Sequence, residues 1–314
     1  MFVNASSVRR WLTGARVGDI FPIKMLTRLI SSKPFQILYF AYSWVLVCTV
    51  WFVGYLLAML VSIGSRRRGE IYNSFCRASA WVIVKGLGIR VRVEGREGVP
   101  KGEPFIFICN HQSLLDIKLA FAFVPGNFCF ISKEEITRIP IVGSYMKTAG
   151  HIGMPREEDR RAYVVLLEII KKAKEGKSLL IFPEGTRSPD GKLGPFKRGV
   201  ANIILKAGRR VVPTAIIGSR EFLPRESWLC HPEHRDITIR FGRPIGFHHL
   251  DKVPREESLI VLEELRQEVK KLLGEEVGAI HELPLQSDDK KAVVPQVRPG
   301  ESASGMTSRE EARG

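Results

Sequence analysis

The strings Asn110-His111-Gln112-Ser113-Leu114-Leu115-Asp116 and Phe182-Pro183-Glu184-Gly185-Thr186-Arg187-Ser188 hold the residue types best suited to chemistry in this chain. A neutral imidazole can take a proton from an attacking hydroxyl near neutral pH. A carboxylate on the other ring nitrogen fixes the tautomer and stabilises the imidazolium. The second string adds a carboxylate, a glycine that lets backbone approach a ligand closely, and an arginine able to hold an anion by two parallel bonds. Each string follows an apolar run of β type, residues 105–108 and 178–182. In open α/β sheets ligands gather where strands end, so the two strings read as one site assembled from distant sequence.

The spacing of His111 and Asp116 limits how they can meet. Five residues along an ideal helix turn through about 500°, leaving the side chains roughly 140° apart. A pair therefore requires His111 in the turn before a helix and Asp116 in its first turn, with Ser113 as N-cap and Asp116 at N3. Ser113-x-x-Asp116 is equally a capping box with a loop histidine before it. The two readings are compatible, since a carboxylate held at a helix start can still orient an imidazole.

Taken together, Asn-His-Gln-Ser-x-x-Asp followed by Phe-Pro-Glu-Gly-Thr-Arg-Ser resembles the 1-acylglycerol-3-phosphate acyltransferase family, over roughly residues 85–245. Minor motifs extend the resemblance: Ser132-Lys133-Glu134 with Pro140 and Gly143, the stretch 150–156, Pro195-Phe196-Lys197-Arg198-Gly199, and Val211-Val212-Pro213. Where the family usually reads Phe-Ile-Asp-Arg, this chain has Gly153-Met154-Pro155-Arg156. The arginine is kept; the aromatic and acidic positions are not, which bears on the acyl acceptor rather than on the reaction.

The resemblance implies His111 and Asp116 as the catalytic pair, with a substrate alcohol as nucleophile. Ser113 and Ser188 then read as cap and loop residues. Arg187, Arg156 and Lys133 are candidates for an acceptor phosphate, with Gly185 and Thr186 in the same binding loop. Glu184 is expected to hold acceptor hydroxyls, with loop anchoring as the alternative. Backbone N–H groups at the helix start, or Lys133, are candidate donors to the oxyanion of the thioester. No cofactor or metal is expected; acyl-CoA or acyl-carrier protein is the co-substrate. His231-x-x-His234 with Glu233 has ligand-like types but sits in a Pro-containing loop with no further ligand nearby.

Composition frames these residues. The chain has 314 residues, 45% of them hydrophobic and 26% charged, with net charge +15. That excess favours anionic partners such as membrane surfaces and phosphates. A nucleic-acid binder would share the charge but not the apolar insert described next. The cysteines, Cys48, Cys76, Cys109, Cys129 and Cys230, form no close pair and read as reduced thiols. Cys109 reads as a core residue at a strand end.

Residues 1–33 are basic, and residues 35–63 then run without a charge. A straight helix of that length reaches about 44 Å against a hydrocarbon core of about 30 Å. With Arg66-Arg67-Arg68 following, both flanks are basic, and a single span would leave one on the disfavoured side. A bent or two-helix insert returning to one face, with Gly54 as the break, is the expectation. Trp44, Trp51, Tyr39, Tyr42 and Tyr55 suit interfacial depth.

Beyond residue 70, strands are expected at 89–93, 105–108, 128–131, 179–182, 211–217 and 237–241. A helix over 157–174 is expected to bury Val164, Leu167 and Ile170, and one over 256–273 to bury Leu262, Leu265, Val269 and Leu272. The fold class is α/β, a layered mixed β-sheet flanked by helices as in glycerol-3-phosphate acyltransferases, behind an N-terminal membrane-inserting helical segment. The expected organisation is a basic, apolar N-terminal segment (1–69), an α/β acyltransferase domain (70–283) and a disordered tail (284–314).

The expected function is acyl transfer to 1-acylglycerol-3-phosphate on the cytoplasmic face of a cell membrane, through a monotopic or re-entrant anchor. The expected partners are membrane lipids, a lysophosphatidate-like acceptor and the thioester donor, not nucleic acid. The alternatives are another lysolipid or polyol phosphate as acceptor, or a non-catalytic lipid-binding protein. A lipid hydrolase, which would need an activated Ser or Cys, is disfavoured, because no Gly-x-Ser-x-Gly elbow is present.

Overall fold

The computed structural model describes residues 30, 32–156 and 159–275. The N-terminal basic stretch and the tail expected from 284 lie outside them. Seven strands form one sheet: β1 (Arg90–Glu94), β2 (Ile106–Cys109), β3 (Phe128–Lys133), β4 (Ile152–Met154), β5 (Ser178–Ile181), β6 (Val211–Ile217) and β7 (Asp236–Phe241), in the order β1-β7-β6-β2-β5-β3-β4. Only β6 and β7 pair antiparallel; the other neighbours are parallel, so the sheet is mixed as expected. The six expected strands are present to within a residue or two. β4 was not foreseen, because Ile-Gly-Met is too short for an alternation to show.

The helices are α1 (Lys33–Val61), α2 (Arg68–Gly86), α3 (Leu115–Phe123), α4 (Glu134–Thr137), α5 (Val142–Ala149), α6 (Arg161–Lys174), α7 (Arg198–Ala207), α8 (Ser219–Phe222) and α9 (Arg255–Leu273). Strand alternation sorts them into two layers. Phe107 and Cys109 of β2 face a core shared with Ile83 and Val84 of α2 and Leu119 of α3. Ile106 and Ile108 face the other layer, with Ile169 of α6, Ile204 of α7 and Leu265 of α9. Each such fully buried Ile or Leu is worth about 1.5–3 kcal/mol over an exposed one, so β2 is held from both sides.

α9 buries Leu262, Leu265 and Val269 as expected, with Leu272 half-buried. α6 corrects the expectation. Ile170 is buried, but Val164 is 66% exposed and Leu167 is also exposed; Ile169 and Ala173 face the sheet beside Val165 and Leu166. The helix carries two overlapping apolar stripes, and only tertiary packing selects one.

The N-terminal insert also differs from expectation. α1 is a single unbroken helix, and Gly54 does not bend it. Contacts with α2 run in opposite order: the Tyr42 hydroxyl donates to the Gly86 carbonyl at 2.8 Å, Gly54 lies against Ser79, and Tyr55 meets Tyr72 with ring centroids 6.2 Å apart. The two helices therefore form an antiparallel hairpin. A Cβ on Gly54 would sit 2.4 Å from Ser79 Oγ, so this glycine permits close helix approach. Most of the aromatics expected at the lipid interface turn inward. Tyr39 donates to the Leu87 carbonyl at 2.6 Å, and Trp51 packs on Tyr145 at 5.2 Å. The outer face of α1, including Ile37, Leu38, Val45, Phe52 and Leu60, is apolar and exposed. By length and composition this helix is fit to enter a membrane.

Candidate active site

The site lies beyond the carboxyl ends of the parallel strands β2, β5, β3 and β4, which are neighbours in the sheet. His111 follows β2, the Glu184–Ser188 loop follows β5, Lys133 ends β3 and Arg156 follows β4. One end of the sheet thus collects residues that are distant in sequence.

The first string is a set of mutual supports. Asn110 is buried, and its side chain donates to the Ile216 carbonyl (2.9 Å) and accepts the Ile216 N–H (2.8 Å). It continues the β2–β6 ladder with side-chain atoms past the end of the strand. His111 Nδ1 lies 2.9 Å from Asp116 Oδ2. The same oxygen accepts the N–H groups of Gln112 (2.7 Å) and Ser113 (2.8 Å). Asp116 is fully buried, and its Oδ1 has no hydrogen-bond partner. A carboxylate only accepts, so Nδ1 carries a proton, and in the neutral ring the lone pair then lies on Nε2.

The capping and catalytic readings therefore coexist, with the boundary moved by one residue. The helix starts at Leu115, Ser113 Oγ accepts the Leu115 N–H at 3.2 Å, and the Asp116 N–H reaches the Ser113 carbonyl at 3.2 Å. This narrows one expectation. The N–H groups of Gln112, Ser113, Leu115 and Asp116 are bonded within the motif, so these four are not open to an oxyanion. Of the expected donors, the Leu114 N–H at the N-cap and Lys133 remain; Lys133 is exposed, at the junction of β3 and α4.

The second string supports the first from below. The Phe182 ring stacks on the His111 imidazole, with centroids 4.1 Å apart and planes 12° apart. Glu184 is buried; its Oε1 accepts the His111 N–H at 3.1 Å and its Oε2 the Gly194 N–H at 2.9 Å. Burial raises this carboxyl above its ordinary value, against the pull of the two N–H groups. Glu184 was expected to hold acceptor hydroxyls; both oxygens instead brace backbone, because the loop's buried N–H groups need acceptors. Gly185 has φ +70°, a left-handed turn that brings it against the Lys197 side chain, and Thr186 is exposed beside it.

The Ser188 N–H donates to the His111 carbonyl at 2.8 Å, which places Arg187 one residue from a direct contact with the first string. Burial, and after it the neighbouring Arg225 guanidinium, lower the pKa of Arg187 from its ordinary value. The loop is clasped from outside: Gln112 Nε2 donates to the Gly191 carbonyl at 2.6 Å, Arg220 to those of Ser188 (3.1 Å) and Pro189 (2.9 Å), and Arg225 to that of Arg187. Sequence reading missed Phe182, Gln112, Arg220 and Arg225, whose partners are remote in sequence. Arg156 is highly exposed and 3.5 Å from Glu135.

The Cys109 thiol is buried and pushed well up by burial, consistent with a core residue rather than a nucleophile. All five cysteines are free. His231 pairs with Glu233 at 3.3 Å, and among the described residues no group of three or more His, Cys, Asp or Glu gathers around a metal-sized space.

Residues 90–217, which hold the His–Asp pair at the carboxyl edge of the mixed sheet and the arginine-bearing loop beside it, match the family model described as Acyltransferase. The chain is 40% identical over 162 residues to a 1-acyl-sn-glycerol-3-phosphate acyltransferase of Helicobacter pylori, covering 49% of this chain and 68% of that protein. A chloroplastic 1-acyl-sn-glycerol-3-phosphate acyltransferase of Arabidopsis thaliana is 37% identical over 157 residues, covering 50% of this chain and 44% of the relative. The crystal structure of the 1-acyl-sn-glycerophosphate (LPA) acyltransferase PlsC from Thermotoga maritima aligns with a TM-score of 0.63 at 31% identity, covering 76% of this chain and 97% of that one. The chain belongs to the 1-acyl-sn-glycerol-3-phosphate acyltransferase family. It spans less than half the length of the chloroplastic relatives it matches.

Proposed function

We propose that this protein transfers a fatty acyl group from a thioester, acyl-CoA or acyl-carrier protein, to the free hydroxyl of 1-acylglycerol-3-phosphate, giving phosphatidic acid for phospholipid synthesis. The observation that carries this reading is the 2.9 Å contact of His111 Nδ1 with the buried Asp116, beside a loop that presents Arg187. His111 Nε2 takes the proton of the acceptor hydroxyl as its oxygen bonds to the thioester carbonyl carbon. The carbonyl electrons move to oxygen, where Lys133 and the Leu114 N–H are the candidate partners. Collapse of this intermediate breaks the C–S bond, and the imidazolium returns its proton to the departing thiolate. No metal or cofactor is required.

Arg187 is the principal phosphate ligand in this scheme, with Lys133 and Arg156 reaching from neighbouring strand ends. Glu184 acts as a brace. Met154-Pro155 next to Arg156 favours one variant reading, in which the acceptor is another lysolipid or polyol phosphate. The anchor is monotopic on the cytoplasmic side. One face of α1 is occupied by α2, so a hairpin dipping into one leaflet exposes the outer apolar face to lipid without withdrawing the inner face from protein.

The test is incubation of purified protein with labelled acyl-CoA, or acyl-carrier protein, and a panel of lysolipids and polyols. Labelled phosphatidic acid is expected, lowered about 10²- to 10⁴-fold by His111→Ala. Arg187→Ala should depress use of phosphorylated acceptors far more than thioester binding. Wild-type turnover in His111→Ala protein would overturn the assignment.

A further inference from the structure

We propose that the loop between α8 and β7 is a second lipid contact, separate from α1, in which Trp228 enters the membrane interface and links the bilayer to both active-site strings. The proposal rests on the lipid reading of α1. The loop is closed at its base by the His231 N–H donating to the Phe222 carbonyl at 2.7 Å, and Cys230 is buried beside that closure. Trp228 stands outside it, 65% exposed. Isolated exposed apolar side chains are ordinary, but this one is continuous with a larger surface. Its ring lies 6.4 Å from that of Trp44, itself 46% exposed on the outer face of α1, and Leu114 is exposed beside Ser113, which bonds this loop. A protein partner seated on Trp228 would meet the apolar face of α1 as well, whereas a lipid interface covers both at once. Indole suits that depth, with an apolar body and one polar N–H.

The inner side of the same loop touches the catalytic machinery. Ser113 Oγ donates to the Leu223 carbonyl at 2.8 Å, and Arg225 donates to the Arg187 carbonyl. At the far end His231 Nδ1 lies 3.3 Å from Gln36 of α1. One short segment thus joins the anchor, the His-bearing string and the Arg-bearing string. Seating Trp228 in lipid would fix the height of the acceptor-binding loop relative to the head groups that present the acceptor.

The experiment uses the full chain in vesicles of phosphatidylethanolamine and phosphatidylglycerol, with and without bromine on the acyl chains near the glycerol. Wild type is compared with Trp228→Phe and Trp44→Phe, so that the emission each indole contributes is read by difference. The Trp228 component is expected to be quenched by brominated lipid. Trp228→Ser is expected to raise KM for a vesicle-presented acceptor roughly three- to tenfold, as loss of a partly inserted aromatic side chain implies, and to leave turnover of a monomeric short-chain acceptor unchanged. Quenching of the Trp44 component alone would overturn the loop contact and leave α1 in the membrane. Quenching of neither would overturn both readings. A fall in oligomeric mass on Trp228→Ser, with the Trp228 component of wild type unquenched by brominated lipid, would make the occupant a second copy and overturn the proposal.

Discussion

The imidazole of His111 lies flat on the ring of Phe182, 4.1 Å between centroids, and so is fixed on two sides: by Asp116 in its plane and by an aromatic ring below it. The hydrogen bond sets the tautomer and one rotation; the stack removes the remaining tilt. Phe182 also meets Phe130 of β3 at 5.9 Å, which ties the His111 ring to the sheet.

Phe182→Leu keeps an apolar side chain but removes the stack. Aromatic pairs are worth about 0.5–1.5 kcal/mol beyond area burial. If that energy orients the base, kcat should fall roughly three- to tenfold with KM for either substrate little changed. Steady-state kinetics decide it: an unchanged kcat would reduce Phe182 to a packing residue.

Asp116 has two tasks that substitutions can separate. Asp116→Ala removes the imidazole partner and leaves the Gln112 and Ser113 N–H groups without their acceptor. It should therefore cost stability, about 1–3 kcal/mol for the orphaned donors, as well as activity. Asp116→Asn keeps one accepting oxygen for those donors and for Nδ1–H, so it should fold better while losing most of the rate, because a neutral amide no longer stabilises the imidazolium. Parallel unfolding and activity measurements test this, and equal stability of the two variants would refute the dual role.

Glu184→Gln changes only an oxygen to an amide nitrogen, yet the structure requires an acceptor at both ends. An amide has one accepting oxygen, so either the His111 or the Gly194 N–H is left facing a donor. A loss of about 1–3 kcal/mol in stability is expected, with a fall in kcat as the His111 backbone loosens. A variant as stable and active as wild type would show that Glu184 does not brace this turn.

These roles mark the boundary of what sequence order carries. His111, Asp116 and Arg187 stand out because they lie in two short strings dense in side chains able to do chemistry. Six strands stand out because apolar runs between turn residues are local. Phe182, Asn110 and Gln112 act through partners remote in sequence, and only the sheet order brings those together. Likewise α6 carries apolar residues on adjoining faces, and periodicity does not say which face meets the sheet. The excess length of residues 35–63 suggested a bend because a lone helix was compared with bilayer thickness. The existence of α2 as a partner depends on tertiary contacts at Gly54, Tyr42 and Tyr55.

Lys118 gives a prediction in pH. It sits on α3, two residues beyond Asp116, with its ammonium 3.9 Å above the centre of the Trp51 ring of α1. Burial pushes its pKa down from 10.5 to about 8, with Cys76 pulling the other way. The Cys76 thiol is itself raised by burial. A base with a depressed folded pKa is protonated in both states below about pH 8, where its full desolvation penalty weighs on the fold. Between about 8 and 10.5 the unfolded chain binds more protons, so stability rises with pH there, by up to about 1.4 kcal/mol per unit. Lys118→Met preserves length and contact with Trp51 without the charge. Thermal unfolding in detergent from pH 7 to 10.5 should show wild type gaining on the variant as pH rises, with the variant at least as stable at pH 7. Parallel profiles would mean that Lys118 reaches water, and that the α1–α2 hairpin does not seal it against the α/β domain.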